Sequence, residues 1–372
     1  MNNMRPMTSR VPKHWLLFAC AAACGVEAHA QSSVTVYGRI NTAIEYTQGG
    51  TASNGTSIGS TTRLTNNRSV FGFRGEEDLG GGTKAFWQIE SAVSVDTGQG
   101  QIAGRNTAVG LQGDYGKFFM GHWQTPYTEA TAGYDPYYPT TAGYMALIGN
   151  GSTSSSDNIQ DTSSFDRRQK NIVQYRSPTW NGLSGGMAWG VNEEKLSVPR
   201  NPALYSFAAN YDRGPLNVTA AYEIHQHYQT AGRNDDAMKV GVSYQFPTTK
   251  IALIYERLHY RTATGDLYRN GYYTSIIQQL GPGSVRVGVA LASNGSGNAQ
   301  ETIGFFRSGA DTGAMQFTVG YDYPLSKRTA LYTYYSRINN RGNAVYDFAI
   351  NQIGVKAGAH PQTFALGMRH NF

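Results

Sequence analysis

The stretch that decides the fold is TFALGMRHNF, residues 363–372. Phe364, Leu366, Met368 and Phe372 are apolar, and the residues between them are small or polar. Because successive side chains of a strand point to opposite faces, the stretch predicts a strand with one apolar and one wet face. Chain ends are normally polar and frayed, so an aromatic residue at this position needs a core or a lipid to lie against.

Composition favours one large β structure over two soluble domains. The 372 residues include 44 glycines and 25 tyrosines, and only 15% of them are charged. Such a composition suits many strands joined by turns. The formal net charge of +6 is small and the basic residues are scattered, so the dense basic patch of a nucleic-acid-binding face is not indicated.

The first thirty residues have the pattern of an export signal. Three basic residues precede the apolar run WLLFACAAACGV, and the small residues of AHA follow it. We expect residues 1–30 to be a cleaved signal peptide and residues 31–372 to form a single domain. Both cysteines, Cys20 and Cys24, fall in the signal, so no disulfide is expected in the mature chain. A lipoprotein signal that uses one of these cysteines is the alternative.

Alternating stretches recur along the rest of the chain. In TKAFWQIESAV, Ala85, Trp87 and Ile89 share one face, and Lys84, Gln88 and Glu90 share the other. Similar alternation occurs in SSVTVYGRINTAIEYT and AMQFTVGYDY. No stretch after the signal is apolar and uncharged for long enough to predict a transmembrane helix.

Short turns alternate with long polar segments. The short turns are EDLGGG, GDYG, SPTWNG, YDRGP, FPTT, LGPG and YPLSKR, and the long segments lie near 47–66, 96–104, 124–167, 191–202, 228–236, 261–267, 294–311 and 338–361. These connections predict sixteen antiparallel strands with both termini on the short-turn side. A sheet in lipid must close, because unpaired backbone groups are costly there. We therefore expect a transmembrane β-barrel wide enough for a water-filled lumen.

Six segments follow one another along the chain in this order: QSSVTVYGRINTA, FGFRGEEDLGGGTKAFWQIE, VGLQGDYGKFFMGH, RRQKNIVQYRSPTWNGLSGG, VGYDYPLSKRTALYTYYSRINN and LGMRHNF. Together they resemble the Gram-negative general porins, especially the trimeric betaproteobacterial type. The resemblance implies a sixteen-stranded barrel in the cell outer membrane, with short periplasmic turns, long extracellular loops and a third long loop folded into the pore. The implied partners are two further copies of the chain, outer-membrane lipid and lipopolysaccharide, small hydrophilic solutes and ions, and the barrel assembly machinery, for which Phe372 is the expected signal.

The third long segment is also the longest, and a loop of this length usually has a function. We expect its first half, TPYTEATAGYDPYYPTTAGY, to be ordered and to line the pore. A disordered external loop is the alternative, which the polar stretch NGSTSSSDN favours for the second half. The expected constriction residues are Glu129, Tyr134, Asp135, Tyr137 and Tyr138.

The wall opposite this loop is expected to be basic. Alternation directs Arg39, Arg68, Arg74, Arg168 and Lys170 into the lumen. Arg105 resembles a basic position of the family, but simple alternation places it with Val109 and Leu111, so a bulge or a rim position is required. Facing rings of opposite charge would set up a transverse field across the narrowest point, and the net charge and the excess of arginines predict a weak anion preference. Alternatively, several of these side chains only solvate the wall.

Two departures from the family pattern fall near the expected constriction. Val70 stands where the second strand often carries a basic residue, and His122 stands where arginine is common. Ion selectivity should therefore not be copied from a relative.

The predicted function is passive diffusion of ions and small hydrophilic solutes, without a reaction or a cofactor. The alternatives are a substrate-specific channel with a tyrosine-lined slide, an outer-membrane enzyme such as a lipase, and an adhesin. His225 and His227 are a weak signal for a metal site, and solvated rim residues are the favoured interpretation.

Overall fold

The computed structural model describes residues 33–194 and 200–372. The expected signal, residues 1–30, lies outside the described residues. Within the described part, no helix has the length and apolar character needed to cross a bilayer.

Sixteen strands form one closed antiparallel barrel. They are β1 (Ser33–Thr51), β2 (Ser57–Asn66 and Ser69–Gly80), β3 (Thr83–Ser94), β4 (Gln99–Gln101 and Thr107–Gly113), β5 (Gly116–Gln124), β6 (Arg167–Arg176), β7 (Leu183–Gly190), β8 (Ala203–Arg213), β9 (Leu216–Gln226), β10 (Asn234–Gln245), β11 (Thr249–Arg261), β12 (Asp266–Leu280), β13 (Gly283–Ala292), β14 (Ala314–Pro324), β15 (Thr329–Asn340) and β16 (Gln362–Asn371). Each strand pairs with the next, and β16 pairs with β1, with Thr42 opposite Met368. The predicted strand number and closure are confirmed. Two short strands, Thr153–Ser156 and Ser296–Gly297, lie in the long connections.

The outer face of the barrel is apolar. Ile44 of β1 lies opposite Leu366 of β16, and both side chains are 59% exposed. On β3, Ile89 is also exposed, whereas the neighbouring inward residue Phe86 is buried against Phe119. Burial of apolar surface drives folding in water, so an outer wall of this kind requires lipid around it.

All seven predicted short turns connect strands in the structure. One predicted long loop is wrong: most of segment 47–66 is strand, because β1 continues to Thr51 and β2 begins at Ser57. The segment is rich in threonine, serine and glycine, so it lacks the apolar face by which strands were recognised, although its backbone pairs regularly from Thr42 with Asn66 to Thr51 with Ser57.

Three irregularities interrupt the alternation on one side of the wall. Strand β2 breaks at Asn67 and Arg68, and Arg68 has a φ of 56°. Strand β4 breaks between Gln101 and Thr107. The pairing of β5 with β6 shifts its register between Gly121 and Trp123. Bulges of this kind turn side chains to directions that simple alternation does not give.

The third loop, residues 125–166, begins with helix α1 (Pro126–Ala132). Thr125 caps this helix, since its side chain accepts a hydrogen bond from the Thr128 backbone N–H at 3.2 Å. The Thr128 hydroxyl in turn donates to the carbonyl oxygens of Phe165 and Arg167, both at 3.2 Å. The two ends of the loop are therefore fastened to each other.

Beyond the helix, the third loop reaches strands on several sides of the barrel. The Ser275 hydroxyl of β12 donates to the Tyr134 carbonyl at 2.6 Å, and the Tyr137 hydroxyl donates to the Arg286 carbonyl of β13 at 2.6 Å. Farther round the wall, the Thr141 backbone N–H donates to Asn67 Oδ1 beside β2 at 3.1 Å. The loop therefore crosses the lumen, as an inward-folded loop must.

A buried charge network fastens the loop to β11 and β12. Glu256 accepts hydrogen bonds from the Tyr127 hydroxyl at 2.7 Å and from the Gly149 backbone N–H at 2.8 Å. The Arg269 guanidinium lies 3.4 Å from the same carboxylate, and both side chains of this ion pair are fully buried. Removal of one partner of a buried pair leaves an uncompensated charge, so this site should be sensitive to substitution.

The lipid-facing wall predicts an asymmetry between apolar and charged substitutions. Leu366→Arg should lower the free energy of unfolding by about 2–4 kcal/mol, because the guanidinium would lie in hydrocarbon. Leu366→Phe should leave it nearly unchanged. Denaturant titrations of the refolded protein in phospholipid vesicles measure both values, and an equal loss for the two variants would contradict a lipid-facing position.

The Glu256 network predicts that the third loop loosens when this carboxylate is lost. Glu256→Gln should lower the free energy of unfolding by about 1–3 kcal/mol and increase current fluctuations of the open channel, since a hydrogen bond to a charged group is lost and Arg269 is left unpaired. Tyr255→Phe is the matched control, because Tyr255 only donates to Asn270 at 3.1 Å. If the open-channel current of Glu256→Gln fluctuates no more than that of the unaltered protein, the network does not hold the loop.

Candidate functional site

Four arginines gather on one side of the lumen, beside the third loop. Arg39 points inward from β1, and its Nη2 donates to the Arg68 carbonyl at 3.1 Å. The positive φ of Arg68 directs its guanidinium to the loop, where Nη2 donates to Ser152 at Oγ, 2.9 Å, and at the carbonyl, 3.2 Å. The interrupted β2 strand, rather than regular alternation, therefore positions Arg68. Val70 takes the next inward position and is buried.

Arg105 and Arg168 complete this group, which we call the arginine cluster (Arg39, Arg68, Arg105 and Arg168). Arg105 lies in the break of β4, where its backbone N–H donates to the Glu90 carbonyl at 3.0 Å and its Nε lies 2.9 Å from Glu90 Oε1. The Arg168 Nε donates to Asn106 Oδ1 at 2.7 Å. Arg39 and Arg168 are both within electrostatic reach of Arg105. The break in β4 thus supplies the bulge that the Arg105 expectation required.

The arginine cluster carries more positive than negative charge. Among the residues that the structure describes, Arg105 is the one member with a carboxylate within 4.0 Å. The guanidinium hydrogen bonds of Arg39, Arg68 and Arg168 go to carbonyl, hydroxyl and amide oxygens, which are neutral. Hydrogen bonds to neutral acceptors hold these side chains in place without cancelling their charges.

The other two basic residues expected in the wall lie apart from the arginine cluster. Arg74 is exposed, and its guanidinium lies over the Tyr37 ring, 5.2 Å from the centroid. Lys170 Nζ lies 3.7 Å from Asp157 in the second half of the third loop. The positive φ of Asn171, 54°, and the nearby register shift break the alternation from which the direction of Lys170 was inferred.

The two acidic residues expected at the constriction do not present free charge to the lumen. Glu129 forms a two-pronged ion pair with Arg176 Nη2, at 2.7 and 2.6 Å, and accepts from Trp123 Nε1 at 3.0 Å. Asp135 is buried, and it accepts from the Tyr273 hydroxyl at 2.8 Å and from two backbone N–H groups of the loop. This arrangement differs from the expected facing ring of acids.

Burial raises the pKa of Asp135 to about 6, although the hydrogen bonds from Tyr144, Tyr137 and Tyr273 act in the opposite direction. The carboxyl therefore titrates within the acidic part of the physiological range. Its contacts make it a structural acceptor that shapes the loop.

The three expected tyrosines attach the loop to its surroundings. The Tyr134 hydroxyl donates to Asn217 Oδ1 of β9, and Tyr137 makes the β13 contact described above. The Tyr138 hydroxyl donates to Asp166 Oδ1 at 3.3 Å and accepts from Gln124 Nε2 at 3.1 Å. Burial and the nearby Asp166 raise the pKa of Tyr138 to about 12, so the phenol stays protonated.

Sequence reasoning did not single out a second basic group in the lumen. Arg286 Nη2 and Arg369 Nη2 both lie 3.0 Å from Asp322 Oδ2. All three residues occupy inward positions, since each alternates with outward apolar neighbours such as Phe317 and Met368. The same alternation that located Arg39 could have located them.

The interpretation of His225 as a solvated rim residue is wrong. Its ring is fully buried and lies between Phe165, 4.0 Å from centroid to centroid, and Tyr228, 4.4 Å away. Its Nε2 lies 2.9 Å from Glu223 Oε1. No group of three or more metal-ligating side chains occurs in the described ranges, 33–194 and 200–372. An inward position against the third loop explains the burial.

Comparisons with known proteins agree with this architecture. A family model described as Gram-negative porin matches residues 17–343. Outer membrane porin protein 32 of Delftia acidovorans is 29% identical over 97% of this chain and 99% of its own length. Major outer membrane protein P.IB of Neisseria meningitidis serogroup B is 27% identical over 81% of this chain and 86% of its own.

The structure of an anion-selective porin from Comamonas acidovorans superposes with a TM-score of 0.77 and 25% identity, covering 92% of this chain and 100% of that one. The closed sixteen-stranded wall and the loop across the lumen are consistent with the family match. The chain belongs to the Gram-negative porin family and is a porin of the outer membrane.

Proposed function

We propose that this porin is a passive diffusion channel that prefers small anions, and that the arginine cluster produces the preference. The observation that carries the proposal is that the guanidinium groups of Arg39, Arg68 and Arg168 donate to neutral oxygens and not to carboxylates. Fixed positive charges beside a narrow aqueous passage raise the local concentration of anions and lower that of cations.

Other lumen side chains also favour anions over cations. Lys117 lies over the Phe86 ring, with Nζ 3.7 Å from the centroid, and Arg286 and Arg369 share the single carboxylate of Asp322. The acidic Glu129 is matched by Arg176. The Comamonas acidovorans porin described as anion-selective gives independent support.

The placement of the tyrosines does not favour a substrate-specific channel with a tyrosine slide. Tyr134 and Tyr137 are each 5% exposed, and Tyr144 is 2% exposed. Stacking of a passing sugar or aromatic acid requires an open ring face. These rings are packed against the wall, so passage without a dedicated binding site is the better account.

Several finer features belong to the same proposal. Porins of this family are trimers that pass solutes, and we propose a homotrimer here. Residues 1–30 would direct export and be removed, and β16 with Phe372 would engage the barrel assembly machinery. Support for this contact is the exposure of Phe372 at the barrel rim. Transport proceeds down a gradient without catalysis.

Neutralising the arginine cluster should weaken the anion preference. In Arg68→Gln/Arg168→Gln, the anion-to-cation permeability ratio should fall roughly tenfold per charge, because a unit charge about 6 Å away in water stabilises an anion and destabilises a cation by about 0.7 kcal/mol each. Reversal potentials of single channels in a salt gradient measure the ratio. Lys327→Gln is the matched control, since Lys327 is exposed in the short turn between β14 and β15. A cation preference in the unaltered protein would refute the proposal.

Homotrimer formation has its own readout. Insertion of the purified protein into a planar bilayer should give conductance steps that close in groups of three equal levels. Steps of a single size that always close independently would contradict three channels in one particle.

A further inference from the structure

Two arginines outside the arginine cluster continue its positive charge along the lumen wall. Arg369 of β16 lies within electrostatic reach of Arg39, and Arg286 of β13 lies within reach of Arg369. Arg286 is close to Gly283, the first residue of β13, and Arg369 is close to Asn371, the last residue of β16. Both strand ends are on the short-turn side of the barrel. The positive wall therefore extends from the third loop towards the short-turn opening of the lumen.

A single carboxylate serves both of these arginines. Asp322 Oδ2 lies 3.0 Å from Nη2 of Arg286 and 3.0 Å from Nη2 of Arg369. In the part of the chain that the structure describes, no other carboxylate lies within 4.0 Å of either guanidinium. We call Arg286, Arg369 and Asp322 the shared-carboxylate site. Two positive charges meet one negative charge there, so the site keeps a net positive charge.

The arginines of the shared-carboxylate site are more open to the lumen than the carboxylate is. The side chains of Arg286 and Arg369 are 21% and 28% exposed, whereas that of Asp322 is 8% exposed. Arg286 is also held by the third loop, since its Nη1 donates to the Pro136 carbonyl at 3.2 Å. Within the described ranges, Asp322 is the one hydrogen-bond acceptor of the Arg369 guanidinium, which has five N–H donors. Donors of Arg369 are therefore left for a solute in the lumen.

We propose that the shared-carboxylate site is a second binding site for small inorganic anions, and that Asp322 sets how tightly they are held. An anion in the lumen contacts the N–H groups of Arg369 and Arg286, and the carboxylate behind these groups repels it. The proposal rests on the anion preference proposed above, to which it adds a site on the short-turn side of the third loop and the residue that controls that site.

The need for rapid release explains a carboxylate at this position. A conducting pore requires sites that attract an ion without retaining it. Two guanidinium groups without a counter-charge would hold an oxyanion by several charge-assisted hydrogen bonds, which are strong. The Asp322 carboxylate already engages one Nη2 of each arginine. Fewer donors and half of the positive charge thus remain for a solute, which converts a tight anion site into a weak one.

A purely structural role for Asp322 is the alternative, because its two ion pairs also link β14 to β13 and β16. The backbone ladder between β13 and β14 runs regularly from Ser284 opposite Asp322 to Ala292 opposite Ala314. This ladder holds the two strands together without the side chain of Asp322. The two roles differ in whether the charge of residue 322 controls the binding of anions.

Ion conduction by the full barrel in a planar bilayer tests the site. In Asp322→Asn, the chloride concentration that gives half-maximal single-channel conductance should fall roughly threefold, the effect of one unit charge about 6 Å away in water. The anion-to-cation permeability ratio, measured from reversal potentials in a potassium chloride gradient, should rise up to about tenfold, because cations also lose an attractive charge. Inorganic phosphate added to the bath should block the chloride current of this variant more strongly than that of the unaltered protein.

Two further variants separate charge from packing. Asp322→Glu keeps the charge and should conduct as the unaltered protein does. Asp114→Asn is the matched control, because it removes a carboxylate that is exposed in the short turn between β4 and β5. This control should change neither the half-saturating chloride concentration nor the permeability ratio.

Two results would overturn the proposal while leaving the anion preference in place. The first is an unchanged half-saturating chloride concentration in Asp322→Asn, which would show that the carboxylate does not control anion binding. The second is an equal change in Asp322→Glu and Asp322→Asn, which would assign Asp322 to packing alone. A cation preference of the unaltered protein would instead remove the proposed function together with this site.

Discussion

The pairing of β1 with β16 is the constraint on which the rest of the molecule depends. Ten residue pairs, from Arg39 opposite Asn371 to Gln48 opposite Gln362, join the first strand to the last. Backbone groups in hydrocarbon have no water to bond, so a sheet with free edges would be unstable there. At the end of the seam, Gly38 and Phe372 exchange two backbone hydrogen bonds of 3.0 Å. A side chain at Gly38 would overlap the Phe372 ring, because a Cβ there would lie 2.3 Å from Phe372 Cζ.

Closure separates an apolar exterior from a polar interior, and the third loop then narrows that interior. The loop is held by hydrogen bonds to strands from β2 to β13 and by the buried Glu256 and Arg269 pair. The two acids expected at the constriction are engaged in this attachment, Glu129 with Arg176 and Asp135 with its own loop. The arginines on the opposite wall keep their charges because most of their partners are neutral oxygens. The same distribution of carboxylates therefore fastens the loop to the wall and leaves the lumen with a positive potential.

Alternation in the sequence predicted the wall well wherever lipid lies on one side and the strand is regular. The β3 positions Ala85, Trp87 and Ile89 and the seven short turns illustrate this. Alternation was insufficient to predict the strands of the polar segment 47–66, because these strands have no apolar face. The directions of Arg68 and Arg105 depend on strand breaks, which are set by backbone conformation and long-range pairing rather than by local residue pattern. The burial of Asp135 and His225 depends on where the third loop packs, and no local pattern encodes that.

Cysteine accessibility along β3 tests the central claim, that lipid lies outside the wall and water inside. The chain has no cysteine after Cys24, so single cysteines can be placed at Lys84, Ala85, Gln88 and Ile89. In a bilayer, a charged water-soluble thiol reagent should modify positions 84 and 88 and change the channel current. Positions 85 and 89 should react only with a lipid-soluble reagent. Equal reaction of all four with the water-soluble reagent, or the reverse pattern, would contradict the account.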